Sequence, residues 1–162
     1  MQTLYIETSV VSYLAGRPSH DLLIAACQQS TRDWWEGHRS RFSLHTSELV
    51  VAEARRGDAG IAAKRLDYLR GIPELRVTPE SRDVAKVLVE QGALPRKAQA
   101  DALHIAIGAV HHMDLLLTWN CRHIDNPVTK PLVRSICATL GFPCPEICTP
   151  IQLLEAIVDE KE

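Results

Sequence analysis

Three carboxylates and one amide stand at positions where a single fold could gather them, namely Glu7, Glu53, Asp101 and Asn120. Glu7 follows a short apolar run at residues 4–6, and Asn120 follows another at residues 115–118. Carboxylates brought into one pocket repel each other unless a cation compensates their charge. Oxygen ligands favour Mg²⁺ or Mn²⁺, and such an ion can activate water and steady a phosphate oxygen. The chemistry that these residues predict is metal-dependent hydrolysis of a phosphodiester.

Each of these residues also has a purely structural interpretation. Glu53 is spaced to form an ion pair with Arg56, three residues on, across an exposed helix face. Asp101 could complement the positive end of a helix dipole. Glu7 could be a carboxylate at a helix start, and Asn120 could occupy a turn. Taken singly, none of the four residues distinguishes a catalytic site from ordinary structure.

Two of the seven histidines lie close to these residues in the sequence. His104 comes three residues after Asp101 and shares its helix face, so it could hydrogen-bond a metal-ligating carboxylate. His123 comes three residues after Asn120 and is either a substrate contact or a solvated loop side chain. No HExxH pattern is present to suggest a zinc site.

Strand-like and helix-like segments alternate along the chain and must position these side chains. The predicted strands are residues 4–6, 42–46, 75–77, 115–118 and 147–149. The predicted helices are residues 10–15, 22–37, a segment from 46–49 that carries Glu53, 61–70, 78–91, a segment that carries Asp101, 130–140 and 151–159. Thr8 or Ser9 is predicted to cap the first helix.

This alternation is typical of a three-layer α/β/α sandwich around a mainly parallel sheet. Ligands of such sheets bind beyond the carboxyl ends of the strands, at the point where the strand order reverses. Glu7 and Asn120 both follow predicted strands, so both fall at that edge. No linker or change of composition divides residues 1–162, and we therefore expect a single domain.

The composition excludes several broad classes of protein. The formal net charge is −2, so no overall basic field attracts polyanions, although a local patch would suffice to bind nucleic acid. The first residues lack the basic-then-apolar order of a signal peptide, and no apolar run approaches the roughly 20 residues of a membrane span. Five scattered cysteines, an odd number, favour reduced thiols. We expect a cytoplasmic protein that does not enter the membrane.

Four segments of the chain resemble the PIN-domain family, in the branch of the VapC-like toxins of toxin-antitoxin pairs. The most specific of them is DALHIAIGAVHHMDLLLTWNCRHI, and the resemblance covers nearly the whole chain. The other three are YIETSVVSYL, SELVVAEARRGD and ICTPIQLLE. The resemblance implies an endoribonuclease that uses Mg²⁺ or Mn²⁺ to hydrolyse RNA, leaving a 5′-phosphate and a 3′-hydroxyl. It also implies a homodimer and a cognate antitoxin protein as partner.

The resemblance also implies roles for individual residues. The family's metal-binding acids fall on Glu7, Glu53 and Asp101, and its fourth catalytic position falls on Asn120. The family's hydroxyl beside the first acid corresponds to Thr8 or Ser9, and the hydroxyl before the fourth position corresponds to Thr118.

Two positions depart from the family pattern. Glu7 stands where aspartate is commoner, so its carboxylate reaches one methylene further. Asn120 stands where the toxin branch usually has aspartate, which removes one negative charge and weakens binding of a second ion. We therefore expect one tightly bound metal, or metal binding that needs the substrate phosphate.

Several cations flank the predicted site and could form a basic rim that binds phosphates. They are Arg55, Arg56, Lys64, Arg65, Arg96, Lys97 and Arg122. Arg56, Arg122 and His123 are the predicted substrate contacts. Adjacent tryptophans, Trp34 and Trp35, cannot both face one core from a helix, so we expect part of their surface to meet a partner.

Two alternatives to the ribonuclease belong to other classes of function. A non-catalytic PIN-fold module that binds RNA or protein is favoured by the departures at Glu7 and Asn120. A phosphoacceptor signalling domain requires an adjacent acidic pair after the first strand, and Glu7 stands alone there. The first alternative stays open and the second is disfavoured.

Overall fold

The computed structural model describes residues 1–159, with side chains described as far as residue 157. Within it the strands form one sheet in which every neighbouring pair is parallel, in the order β3-β2-β1-β4-β5. The strands are β1 (Thr3–Ile6), β2 (Ser43–Ser47), β3 (Glu74–Leu75), β4 (Leu115–Leu117) and β5 (Glu146–Cys148). All five lie where the sequence predicts them, to within one or two residues at each end.

Helices connect the strands and complete the layers. They are α1 (Thr8–Ala15), α2 (Leu22–His38), α3 (Glu48–Ala54), α4 (Ala59–Leu69), α5 (Pro79–Glu90), α6 (Gln99–Val110), α7 (Lys130–Thr139) and α8 (Pro150–Asp159). The predicted three-layer α/β/α sandwich around a parallel sheet is therefore confirmed. Among the described helices, none is both long and apolar enough to cross a bilayer.

The central strands β1 and β4 are buried on both faces. Leu4, Tyr5 and Ile6 of β1 are completely shielded from solvent, as are Leu116 and Leu117 of β4. Strands of parallel sheets are covered by helices on both sides, which is why such continuous apolar runs occur in them. The burial explains why two very short runs could be recognised as strands from the sequence.

The pairing of β1 with β4 brings two polar residues to the same edge. Ile6 lies opposite Leu117, and the backbone N–H of Glu7 donates to the Leu117 carbonyl at 3.1 Å. Glu7 and Thr118 therefore leave the sheet side by side. The strand order reverses between these two strands, which is the ligand-binding position of parallel α/β sheets.

The cap of the first helix differs from the prediction. Helix α1 begins at Thr8, directly after the strand, so the residue with extended backbone at its start is Glu7. The Glu7 carboxylate accepts a hydrogen bond from the Ser9 backbone N–H at 3.0 Å, and neither Thr8 nor Ser9 is the N-cap. The helix starts two residues earlier than predicted, and the longer glutamate side chain reaches its first turn.

The expectation that the tryptophan pair leaves aromatic surface for a partner is wrong. Trp34 is fully buried beside Phe42, and Trp35 is only 8% exposed. The Trp35 ring packs edge-on against Tyr68 of α4 and lies under the guanidinium of Arg39. Two neighbouring side chains of α2 are both covered because different parts of the same chain close over each of them.

Candidate active site

Glu7 is held rigidly at the carboxyl edge of the sheet. One of its oxygens, Oε2, accepts hydrogen bonds from the Ser9 N–H at 3.0 Å, from the Ser9 hydroxyl, and from the Thr118 hydroxyl at 2.8 Å. The residue is only 5% exposed. The other oxygen, Oε1, accepts no hydrogen bond from the described residues and faces His104 Nε2 at 3.9 Å. Three donors on one oxygen fix the carboxylate in place and leave the second oxygen for another ligand.

The two hydroxyls that donate to Glu7 also fix the chain that follows β4. The Ser9 oxygen accepts from the Trp119 N–H at 2.8 Å, and the Thr118 oxygen accepts from the Asn120 N–H at 2.9 Å. Because each oxygen accepts from a backbone N–H, its own proton is directed towards the Glu7 carboxylate. Ser9 and Thr118, at two of the positions where the resemblance implies hydroxyls, therefore hold both Glu7 and the chain after β4.

Replacing Thr118 with valine tests this arrangement. The change keeps the side-chain shape at a fully buried position. It removes the acceptor of the Asn120 N–H and one of the donors to the Glu7 carboxylate. We expect a loss of about 1–3 kcal/mol in the free energy of unfolding, measured by urea denaturation. Thr118→Ser keeps the hydroxyl and should lose clearly less. Equal losses in the two variants would show that the methyl group, not the hydroxyl, matters.

Glu53 turns towards the same edge from helix α3. Its Oε1 accepts from the Thr8 hydroxyl at 2.7 Å and from His104 Nε2 at 2.6 Å. Partial burial by itself would raise the pKa of Glu53, but the hydrogen bond and charge of His104, the Thr8 hydroxyl and the charge of Arg56 together lower it below 4.5. Glu53 is therefore an ionised member of the site. Among the described residues it forms no ion pair with Arg56 within 4 Å, so the surface-pair alternative is not what the fold adopts.

His104 lies between these two acids in the interior. It is 1% exposed, and its Nε2 donates to Glu53 while lying 3.9 Å from Glu7 Oε1. Burial alone would lower the pKa of His104, but the hydrogen bond to Glu53 and the charges of Glu7, Glu53 and Asp101 raise it above 6.5. The surrounding carboxylates thus favour the protonated form of His104. The predicted contact between His104 and an acid is confirmed.

A chain of hydroxyls behind His104 was not predicted from the sequence. His104 Nδ1 lies 2.7 Å from the Tyr5 hydroxyl, which lies 2.8 Å from the Ser47 hydroxyl. Ser47 also caps α3 by accepting from the Val50 N–H at 3.1 Å. Tyr5 comes two residues before Glu7 in an extended segment, so the two side chains share a face of the strand. That period of two was the signal that could have identified Tyr5.

Asp101 approaches from the first turn of α6 and contacts the segment after β4. Its Oδ2 accepts from His123 Nδ1 at 2.9 Å, and its Oδ1 accepts no hydrogen bond from the described residues. Asn120, the predicted fourth residue, uses its side-chain oxygen to accept from the His123 backbone N–H at 3.0 Å. The residue that meets Asp101 from this segment is therefore His123.

The cations of the predicted rim have different roles in the structure. Arg56 and Arg122 are both exposed, and Arg56 is near enough to Glu53 to act on its charge. Arg65 instead donates from Nη1 to the carbonyls of Ala54 at 3.1 Å and Arg56 at 2.9 Å. Arg65 thereby holds the end of the helix that carries Glu53, so it belongs to the scaffold of the site.

The donor set of the site fits a hard divalent ion. Glu7, Glu53 and Asp101 each present one carboxylate oxygen that accepts no hydrogen bond from residues 1–159. Carboxylate oxygens of this kind are the ligands that Mg²⁺ and Mn²⁺ prefer. As the side chains stand, no three His, Cys, Asp or Glu residues within that range already form a metal-holding cluster. Binding of one ion by all three acids would therefore require these side chains to move from their present positions.

Comparison with known proteins assigns no family to the chain. No protein-family model matches the chain, and a search of curated proteins found no match.

Proposed function

We propose that this protein is an endoribonuclease of the PIN-domain type that hydrolyses RNA phosphodiesters with Mg²⁺ or Mn²⁺. The observation that carries the proposal is the convergence of Glu7 and Glu53, from different elements, on the same nitrogen of His104. That convergence lies where the strand order reverses, beside the helix that carries Asp101. Such burial of carboxylates is unfavourable unless a positive charge is bound with them.

Glu7, Glu53 and Asp101 are the residues that would hold the ion. When bound, the ion would supply Lewis-acid activation of water and stabilise negative charge on the phosphate. The protein side chains keep the acids in place: Ser9 and Thr118 fix Glu7, while Thr8 and His104 fix Glu53. The exposed guanidinium groups of Arg56 and Arg122 would bind phosphates beside the cleaved bond.

The resemblance to the toxin branch extends the proposal to partners. We propose an antitoxin protein as the partner that restrains the ribonuclease, a homodimer as the assembled form, and the cytoplasm as the place where RNA is cleaved. These three statements rest on the sequence segments that resemble the family.

The proposed activity is tested with a structured RNA and the purified chain. We expect cleavage on addition of 5 mM Mg²⁺ or ~1 mM Mn²⁺, as order-of-magnitude working concentrations, with none in EDTA. The products should accept ligation through a 5′-phosphate without prior kinase treatment. Cleavage that persists in EDTA, or products with a 2′,3′-cyclic phosphate, would contradict metal-dependent hydrolysis.

A non-catalytic binding module is the second candidate, and one observation favours it. His104 already places an imidazole between Glu53 and Glu7, so part of the charge is compensated without an added ion. RNA binding that is independent of metal, with no cleavage at any Mg²⁺ or Mn²⁺ concentration, supports this alternative. The same cleavage assay, accompanied by a gel-shift measurement in EDTA, separates the two functions.

A further inference from the structure

The segment after β4 forms a tight turn organised by Asn120. The Asn120 side-chain oxygen accepts from the His123 N–H at 3.0 Å. Its backbone carbonyl accepts from the Ile124 N–H at 3.2 Å and from the Asp125 N–H at 2.8 Å. Asparagine side chains that hydrogen-bond the following backbone stabilise turns in this way. The consequence is that Asn120 points into its own turn, and the turn presents His123 towards Asp101.

The separation of His123 and Asp101 suits two ligands of one ion. His123 Nδ1 and Asp101 Oδ2 are 2.9 Å apart. In an octahedral site, adjacent ligands about 2.1 Å from the ion are separated by roughly 3 Å. Both side chains are about one-fifth exposed, so an ion can reach them from solvent. A separation of 2.9 Å is that of an ordinary N–H···O hydrogen bond, and it is also compatible with shared coordination of one ion.

His123 is also the imidazole of the site that is available for coordination. Both nitrogens of the buried His104 are engaged, one with Glu53 and the other with Tyr5. His123 Nε2 accepts or donates no hydrogen bond among the described residues, so the ring is held through one nitrogen only. An ion that binds to His123 Nδ1 would displace any proton on that nitrogen to solvent and replace the hydrogen bond to Asp101.

We propose that His123, in place of Asn120, supplies a nitrogen ligand to the metal site, and that this mixed set favours Mn²⁺ over Mg²⁺. The proposal deepens the proposed function and rests on its metal site. Imidazole suits first-row transition ions, whereas Mg²⁺ demands oxygen ligands. The imidazole of His123 would thereby replace the ligand that is lost because position 120 is an asparagine and not an acid.

The test is pulsed electron paramagnetic resonance of the protein loaded with one equivalent of Mn²⁺. A directly bound histidine gives electron spin echo modulation from ¹⁴N, which a side chain that only supports the fold does not give. We expect this modulation in the wild type and in His20→Ala, an exposed control histidine. We expect its loss in His123→Ala and in His123→Gln, the second variant keeping a polar side chain. Circular dichroism shows whether each variant is folded.

Calorimetry provides the matching selectivity measurement. The affinity for Mn²⁺ should fall by roughly tenfold or more in His123→Ala, while that for Mg²⁺ changes by less than about threefold. Equal losses for both ions, or no ¹⁴N modulation in the wild type with Mn²⁺ bound, would overturn the proposal. Modulation that survives in His123→Ala and disappears in His104→Asn would also overturn it, because His104 would then be the ligand.

The RNA cleavage assay distinguishes failure of this proposal from failure of the ribonuclease function. Mn²⁺-dependent cleavage without ¹⁴N modulation rejects the nitrogen ligand and leaves the ribonuclease in place. Modulation that depends on His123, in a protein that cleaves no RNA, supports the ligand and rejects the ribonuclease. Failure of Mn²⁺ to bind at all rejects the nitrogen ligand directly.

Discussion

Asp101→Asn is expected to reduce Mn²⁺-dependent RNA cleavage by at least about 100-fold, because it removes a charged ligand from the metal site. The change alters one atom and keeps the side-chain size, and His123 can still donate to the remaining carbonyl oxygen. We therefore expect the fold and its stability to be retained. The measurement is single-turnover cleavage of a labelled RNA at saturating Mn²⁺.

Asp83→Asn is the matched control for this prediction. Asp83 is an exposed acid on α5, and its replacement makes the same change in charge and size. Cleavage within about twofold of wild type is expected for this surface substitution. Wild-type activity in both variants would show that Asp101 holds no catalytic ion and that the proposed site is wrong.

His104→Ala is expected to lower the free energy of unfolding by about 2–4 kcal/mol, measured in EDTA near pH 6. The substitution removes a buried ring and one hydrogen bond each from Glu53 and the Tyr5 hydroxyl, which keep only their bonds to Thr8 and Ser47. His20→Ala, on the surface, should stay within about 0.5 kcal/mol of wild type. A small loss in His104→Ala would mean that water replaces the imidazole without cost.

The same histidine predicts how stability depends on pH. The pKa of His104 is raised above 6.5 in the folded protein by Glu53, Glu7 and Asp101, so the folded state holds the proton to higher pH than the unfolded state. This contribution is complete below about pH 6.5 and is lost as the pH rises through the folded pKa. The lowered pKa of Glu53 gives the opposite trend, with stability lost as the pH falls below 4.5.

Urea denaturation across pH 4 to 9, as an approximate range, measures this linkage. In EDTA, the difference in stability between wild type and His104→Ala should shrink as the pH rises above about 6.5. A difference that stays constant over this range would show that His104 is neutral in the folded protein, contrary to the raised pKa. His20→Ala should show no pH-dependent difference from wild type.

The fold could be predicted because its signals are local. Short apolar runs such as residues 115–117 alternate with helices that begin at good caps, and burial on both sheet faces requires such runs. The cap of α1 was wrongly predicted because the strand passes directly into the helix. The tryptophan pair was misjudged because the cover over Trp35 comes from Tyr68, a residue distant in sequence.

The site could be predicted only in part, for a related reason. The spacing of Asp101 and His104 on one helix is visible in the sequence, whereas the meeting of His104 with Glu53 depends on how α6 packs near α3. The role of Asn120 had two interpretations, a ligand or a turn residue. Its hydrogen bond to the His123 N–H is a local contact that the turn interpretation anticipated.

The hydrogen-bonded side chains of Ser47, Tyr5 and His104 link two parts of the same helix, α3. Ser47 holds the first turn of α3 through the Val50 N–H, and His104 holds the Glu53 side chain on the same helix. The four side chains therefore form a closed circuit, and moving one of them disturbs all. Substitutions at these positions should be strongly non-additive, so a second change in the circuit should cost much less than the first.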